Sequence, residues 1–387
     1  MTGPVTAFEK TFAEWLGADR AFAFWKGRVA MYAILKAMGV GEGDEVILPG
    51  YTRVVVANPV KYLGATPVYV DIEPATYNID PEQIEAAVTP RTRLIVAQHT
   101  YGYPAEMDAI AAVADRHGIA VIEDACLALG SAYKGRPCGT LGLAAYWSFQ
   151  WNKPFTTGVG GLATTDDADL ARRIAEARDR DAVSPGPAEA AVLALQRAVH
   201  WAVAFPRLTP AIQWLYRRLS GAGVIVGSST AGEDALQRRD PDFFKRMGRG
   251  QAAAGLRGLS RLDRNLRHRR RISGLYDRLL EDRGWPRPAV PDYLAPVLVR
   301  YPVRVADKAK AVAEASRRFL ELGTWFDSPL HQAEAPLHVY DYVEGSCPEA
   351  ERAVREVVNL PTHPRVTERV ARKCVDLVCD IGPAETP

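Results

Sequence analysis

Two rhythms of apolar residues alternate through the first two-thirds of the chain. Short apolar runs suited to buried strands are separated by stretches in which apolar residues recur at helical spacing. Helical stretches fall at 8–16, 27–38, 54–63, 81–87 and 107–116. Asp80 is placed to cap the 81–87 helix, with Glu82 in its first turn. The strand-like runs fall at 44–49, 67–71, 94–97 and 120–122, the first of them stopped by Pro49. This alternation predicts an α/β domain around a mostly parallel sheet. Ligands of such sheets collect beyond the carboxyl ends of the strands. Pro49-Gly50-Tyr51-Thr52, His99-Thr100-Tyr101 and Glu123-Asp124 all follow strand-like runs, so they are expected to converge there.

From 181 to 242 the pattern changes. A strongly apolar helix is expected at 188–204, followed by Pro206, Pro210 and a second apolar run through Trp214-Leu215-Tyr216. Gln196, Arg197 and His200 interrupt the first run, which is too short and too polar to cross a membrane. An inserted helical pair packed on the body or on a dimer partner accounts for it. The lesser alternative is a membrane-surface contact through 188–220, since basic residues flank the apolar ones. A loop is expected at 221–233.

Beyond this the pattern predicts a long basic helix at 256–280. Its run Arg267-His268-Arg269-Arg270-Arg271 reads as a solvated face, the alternative being contact with an anionic ligand or a dimer partner. An alternating strand at 297–305, a helix at 308–322 ended by Gly323 and a last helix at 366–378 complete a small α+β domain. The domain boundaries are accordingly 1–250 and 251–387.

Composition narrows the function classes. The 387 residues suffice for two domains, and 48% apolar with 24% charged residues is the balance of a globular protein. A net charge of +2 gives no electrostatic footprint for nucleic acid. Met1-Thr2-Gly3-Pro4 does not begin a signal peptide. Cys126, Cys138, Cys347, Cys374 and Cys379 are scattered without a CxxC pair, which points to a reduced cytoplasmic chain without a structural metal. No GxGxxG follows an early strand, which argues against a dehydrogenase.

The candidate chemistry lies in Ser148-Phe149-Gln150-Trp151-Asn152-Lys153 and the glycine-rich turn through Gly161. A pyridoxal 5'-phosphate (PLP) site needs an imine-forming lysine, a carboxylate for the ring nitrogen and small residues that free backbone N–H groups for phosphate. Lys153, in an apolar and glycine-flanked segment, and the carboxylates after Val121-Ile122 match that set.

The chain as a whole resembles the DegT/DnrJ/EryC1/StrS aminotransferases. The resemblance runs through Gly43-Asp44-Glu45-Val46-Ile47-Leu48-Pro49, Gly64-Ala65-Thr66-Pro67-Val68-Tyr69-Val70-Asp71-Ile72, Thr89-Pro90-Arg91-Thr92, Gly102-Tyr103-Pro104-Ala105-Glu106-Met107-Asp108 and Leu360-Pro361-Thr362-His363-Pro364. It implies a fold-type I PLP-dependent transferase with a large sheet domain and a small C-terminal α+β domain. It sets Lys153 at the Schiff-base position, Asp124 at the pyridinium nitrogen and Ser148 at the phosphate. Gly27, Arg28 and Val29 fall at a helix start that suits the phosphate. Arg53 stands where the family has an aromatic residue on the cofactor ring, and arginine can lie flat on a π-system. Tyr51 is another candidate for that cover. Leu127 stands where Gln or His is common. Phe244 stands where a neighbouring subunit's Asn often reaches the phosphate, although Arg246 and Met247 fit that segment. The implied reaction moves an amino group from an amino acid, L-glutamate, to a nucleotide-linked keto-sugar, in a homodimer. Two alternatives stay open: dehydration of a sugar, disfavoured because dehydrating members often have His at the lysine position, and a non-catalytic regulator or scaffold of a polysaccharide system, suggested by Arg53, Leu127 and Phe244.

Overall fold

The apolar runs become strands of one seven-stranded sheet in the computed structural model, which describes residues 3–203, 242–286, 289–332 and 336–385. The strands are β1 (Arg20–Phe24), β2 (Glu45–Pro49), β3 (Thr66–Val70), β4 (Thr92–Gln98), β5 (Ala120–Asp124), β6 (Ala144–Ser148) and β7 (Gly161–Thr165). Their order is β1-β7-β6-β5-β4-β2-β3. From β6 to β3 neighbours run parallel, while β7 is antiparallel to both β6 and β1. Every residue of β2, β6 and β7 is buried, as expected when helices cover both faces of a sheet. The two faces divide at period two. Val46 and Leu48 point into one apolar cluster with Met31 and Ile34, and Ile47 points into another with Ile95 and Ile110.

Several expectations are met closely. Helices span Gly27–Ala37, Val54–Tyr62, Pro81–Ala87 and Met107–His117, and the Asp80 carboxylate caps the third by accepting from the Glu82 N–H. The first apolar run of the insertion is the helix Pro187–Val203. The second run and the 221–233 loop lie outside the described residues. No described helix is long and apolar enough to cross a membrane.

Other expectations are corrected. The 256–280 helix is two helices, Arg249–Leu259 and Leu262–Glu281, broken at Ser260-Arg261. The first lies flat on the N-terminal aromatic cluster: a Cβ at Gly255 or Gly258 would come 2.6 Å from the Phe8 or Phe155 ring. The second turns away to bury Leu266, Ile272 and Leu275. Its basic run is exposed at Arg267, Arg270 and Arg271 but not at Arg269. Arg269 is buried and donates to the Val299 carbonyl at 2.9 Å and the Thr362 hydroxyl at 2.8 Å. The 308–322 helix stops at Arg317, because Phe319 takes a left-handed conformation (φ 53°) and the Leu320 N–H turns back to the Ala315 carbonyl. Gly323 bridges Asn359 instead of capping a helix. Within 297–305 only Arg300–Arg304 forms a strand, antiparallel to Val357–Pro361.

Among the contacts that join the C-terminal part to the first part, two lie close to the strand ends. Leu330–His331 pairs in parallel with Thr52–Arg53. The Asp71 carboxylate, just past β3, accepts the Glu349 and Ala350 N–H groups at 2.8 Å each and so caps the helix Pro348–Glu356.

Candidate active site

The three segments expected to converge beyond the strands do so. The Tyr51 and Tyr101 hydroxyls meet at 2.8 Å, and the His99 N–H donates to the Asp124 carbonyl at 3.1 Å. Gln98 ties the group together through the Tyr51 carbonyl and the Thr100 hydroxyl, both at 2.9 Å.

The two carboxylates ending β5 have different surroundings. Glu123 is fully buried and its oxygens are committed: Oε1 accepts the Leu141 and Gly142 N–H groups, and Oε2 accepts the Gly139 N–H and a proton on His99 Nε2. His99 Nδ1 accepts the Ala105 N–H, which fixes the tautomer with the proton on Nε2. Asp124 accepts the Cys126 backbone N–H at 3.0 Å and also acts on the Cys126 thiol and the Tyr146 hydroxyl.

Lys153 lies in the turn between β6 and β7, where its N–H donates to the Gln150 carbonyl at 3.0 Å. Burial pulls its amine below the ordinary lysine range. The Cys126 thiol and the Asp124 carboxylate oppose that shift, and the Arg53 and Arg300 cations reinforce it. The lysine, the aspartate and both arginines therefore share one electrostatic neighbourhood.

Ser148 ends β6 against the start of the helix Gly27–Ala37. A Cβ at Gly27 would come 2.9 Å from the Ser148 Cβ, and one at Gly161 would strike the Lys26 carbonyl and the Gly27 Cα. Only glycine permits this approach of helix start to strand ends. The Val29 N–H donates to the Lys26 carbonyl at 3.1 Å, whereas those of Gly27 and Arg28 precede any intrahelical acceptor. The Arg28 and Val29 side chains are buried.

Arg53 precedes the helix Val54–Tyr62, with its guanidinium 5.9 Å from the centre of the Trp325 ring. Tyr51 is held among Tyr101, Tyr77 and Phe326. Leu127 is buried, and Phe244 stacks on Phe24 at 5.8 Å within the core.

A family model matches residues 1–186 and 224–379, that of the DegT/DnrJ/EryC1/StrS aminotransferase family. The chain belongs to this family. GDP-perosamine synthase of Caulobacter vibrioides is 35% identical over 371 residues, covering 94% of this chain and 86% of that protein. UDP-2-acetamido-2-deoxy-3-oxo-D-glucuronate aminotransferase of Pseudomonas aeruginosa is 47% identical over 174 residues, covering 44% of this chain and 48% of that protein. The solved structure of S. venezuelae DesV in complex with a ketimine intermediate matches with a TM-score of 0.76 and 28% identity, over 98% of this chain and 89% of that one. The fold is that of the fold-type I aminotransferases.

As a DegT/DnrJ/EryC1/StrS aminotransferase the protein is a PLP-dependent enzyme. Its residues fit that cofactor. The side-chain-free contact at Gly27 brings helix-start N–H groups beside the Ser148 hydroxyl, a donor set suited to phosphate. An amine with a lowered pKa suits carbonyl capture, and the Asp124 carboxylate close enough to act on that amine suits a ring nitrogen.

Trp325, Arg300 and Cys126 were not singled out from the sequence. Desolvation and then the neighbouring Asp124 carboxylate push the thiol of half-buried Cys126 well above the usual range. The Trp325 backbone N–H donates to the Asn359 Oδ1 at 2.9 Å, and the Trp325 carbonyl accepts the Tyr101 hydroxyl. These ties are tertiary, and the local pattern carries no signal for them.

Proposed function

We propose that the protein moves an amino group from an amino acid, L-glutamate, to the keto group of a nucleotide-linked sugar, with Lys153 and Asp124 as its catalytic residues. The observation that carries this is the buried group of Lys153, Asp124 and Ser148 against the Gly27 turn. Two relatives support the acceptor class, being named for a GDP-linked and a UDP-linked sugar.

Bound PLP supplies the electron sink that lets a bond at the substrate carbon break. The chain does the rest. Lys153 Nζ, its charged form disfavoured by burial, would carry a proton from the substrate carbon to the cofactor carbon that had held the lysine, and in the second half-reaction carry one the opposite way. Asp124 holds positive charge at the ring nitrogen. The Gly27 and Arg28 N–H groups and the Ser148 hydroxyl would hold the phosphate, with the Arg28 charge and the Val29 turn behind them. Arg53 from the first part and Trp325 from the C-terminal part meet over the site. In this reading 1–250 binds the cofactor and 251–387 closes over it, and the working unit is a homodimer, which sedimentation will test.

Lys153→Ala is expected to abolish turnover and borohydride trapping of PLP while leaving the circular dichroism spectrum unchanged. Normal turnover in that variant would sink the assignment.

A further inference from the structure

The helix Pro187–Val203 has two unlike sides. One side holds it to the body. Leu193 is buried with Trp25 and Val159, and Trp151 packs beside them. Glu189 pairs with the Lys245 amine at 2.9 Å, Arg197 donates to the Thr157 carbonyl at 3.4 Å, and the His200 ring lies 4.7 Å from that of Trp151. Glu189, Leu193, Arg197 and His200 recur at helical spacing and so share that side. The other side carries Ala191, Leu195, Ala198 and Val199, all exposed, Leu195 to 66% and Val199 to 49%. Leu195 and Val199 stand one turn apart, the one such pair of exposed large apolar residues on a helix among the described residues. Between Ala190 and Val199 the sequence holds a single charge, Arg197, and it belongs to the inward side. We propose that the exposed side docks on an anionic lipid surface, which makes the protein a peripheral membrane enzyme.

The charge around this side says which occupant it fits. From Ala190 to Gly232 the sequence holds no Asp or Glu, but four arginines, Arg197, Arg207, Arg217 and Arg218. Of the 48 basic and 46 acidic residues of the chain, four basic and none acidic fall in this stretch, so it carries +4 and the remainder −2. Trp201, Phe205, Trp214 and Tyr216 occur in the same stretch. Arginines mixed with aromatic and aliphatic residues, without acids, are the composition of segments that lie in the headgroup layer. The apolar side can enter the acyl boundary while guanidinium groups meet lipid phosphates. A twofold contact between copies of this side would instead bring arginines toward arginines with no acid in the stretch to answer them.

Residues 187–223 fall between the two stretches that the family model matches, so the helix is an addition to the shared fold. It is nonetheless placed to matter for the site. Its inward side rests on Trp151, Thr157 and Val159, on either side of Lys153 in the sequence. A docked helix would therefore hold the Lys153 turn about one helix diameter, 10 Å, from the lipid.

The test uses the PLP-loaded full chain and sucrose-loaded vesicles of phosphatidylcholine, with or without phosphatidylglycerol. The wild-type protein is expected to sediment with the phosphatidylglycerol vesicles and to stay mostly in solution with phosphatidylcholine alone. Leu195→Glu together with Val199→Glu should weaken vesicle binding about tenfold or more, because two carboxylates then face the lipid. Circular dichroism checks that this variant folds, and Leu195→Glu alone takes its place if it does not. Sedimentation velocity without vesicles reads the mass of each protein. Equal binding to both kinds of vesicle, binding to neither, or binding unchanged by the substitutions overturns the proposal. A variant mass half that of the wild type also overturns it, and gives this side to a second copy of the chain.

Discussion

At Glu123, two carboxylate oxygens receive donors from Gly139, Leu141, Gly142 and His99. Glu123→Ala would strand those donors in the interior, and urea denaturation should register a loss of about 3–5 kcal/mol. Asp124, one residue later, accepts a single backbone N–H. Asp124→Asn should keep the fold, by circular dichroism, and lower turnover about a hundredfold or more. The Lys153 amine has a pH signature of its own. Arg53 pushes its pKa down as a like charge, so removing that charge in Arg53→Gln must raise it. In the cofactor-free protein the midpoint for carbamylation of Lys153 by cyanate should move to higher pH, and a midpoint that stays or falls contradicts the electrostatic account. Residue type and a place after apolar runs singled out Lys153 and Asp124 as candidates, and the fold brings the two close enough to act on each other. Arg300 and Trp325 were not singled out, since they meet Lys153 only through the pairing of Gly323 with Asn359 and of His331 with Arg53.

The helix Gly27–Ala37 brings its first turn against two strand ends, and this contact has no room for a side chain. Gly27→Ala is expected to weaken PLP binding about tenfold, read by absorbance titration, and to cost about 1–3 kcal/mol of stability from overpacking. The elements read correctly were those with clear signals: Asp80 ahead of Pro81, the terminal Pro49, the apolar run of β4. β6 and β7 escaped because Ala144-Ala145-Tyr146-Trp147-Ser148 and Gly161-Leu162-Ala163-Thr164-Thr165 mix small and polar residues with apolar ones and hold no run of large aliphatic residues. The break at Ser260-Arg261 carries no proline or glycine. It reflects two helices burying different faces against different parts of the molecule, which periodicity within one segment cannot report.

Across the whole molecule, the carboxylate of Asp71 reaches from the end of β3 to the start of the helix Pro348–Glu356. Asp71→Ala should cost about 1–2 kcal/mol in urea denaturation, as loss of a helix cap does. Within the C-terminal part the Lys308 amine ties the same helix to the segment that carries Trp325, donating to the Phe326 and Val354 carbonyls at 2.7 Å each. That segment gives the molecule an optical property. Indole emission overlaps the absorption of pyridoxal and pyridoxamine groups. Of the eight tryptophans, Trp325 has its ring 6.0 Å from the amine of Lys153. Its fluorescence should therefore dim and recover as the two half-reactions alternate, making each turnover visible without any added dye, and Trp325→Phe should silence most of that signal.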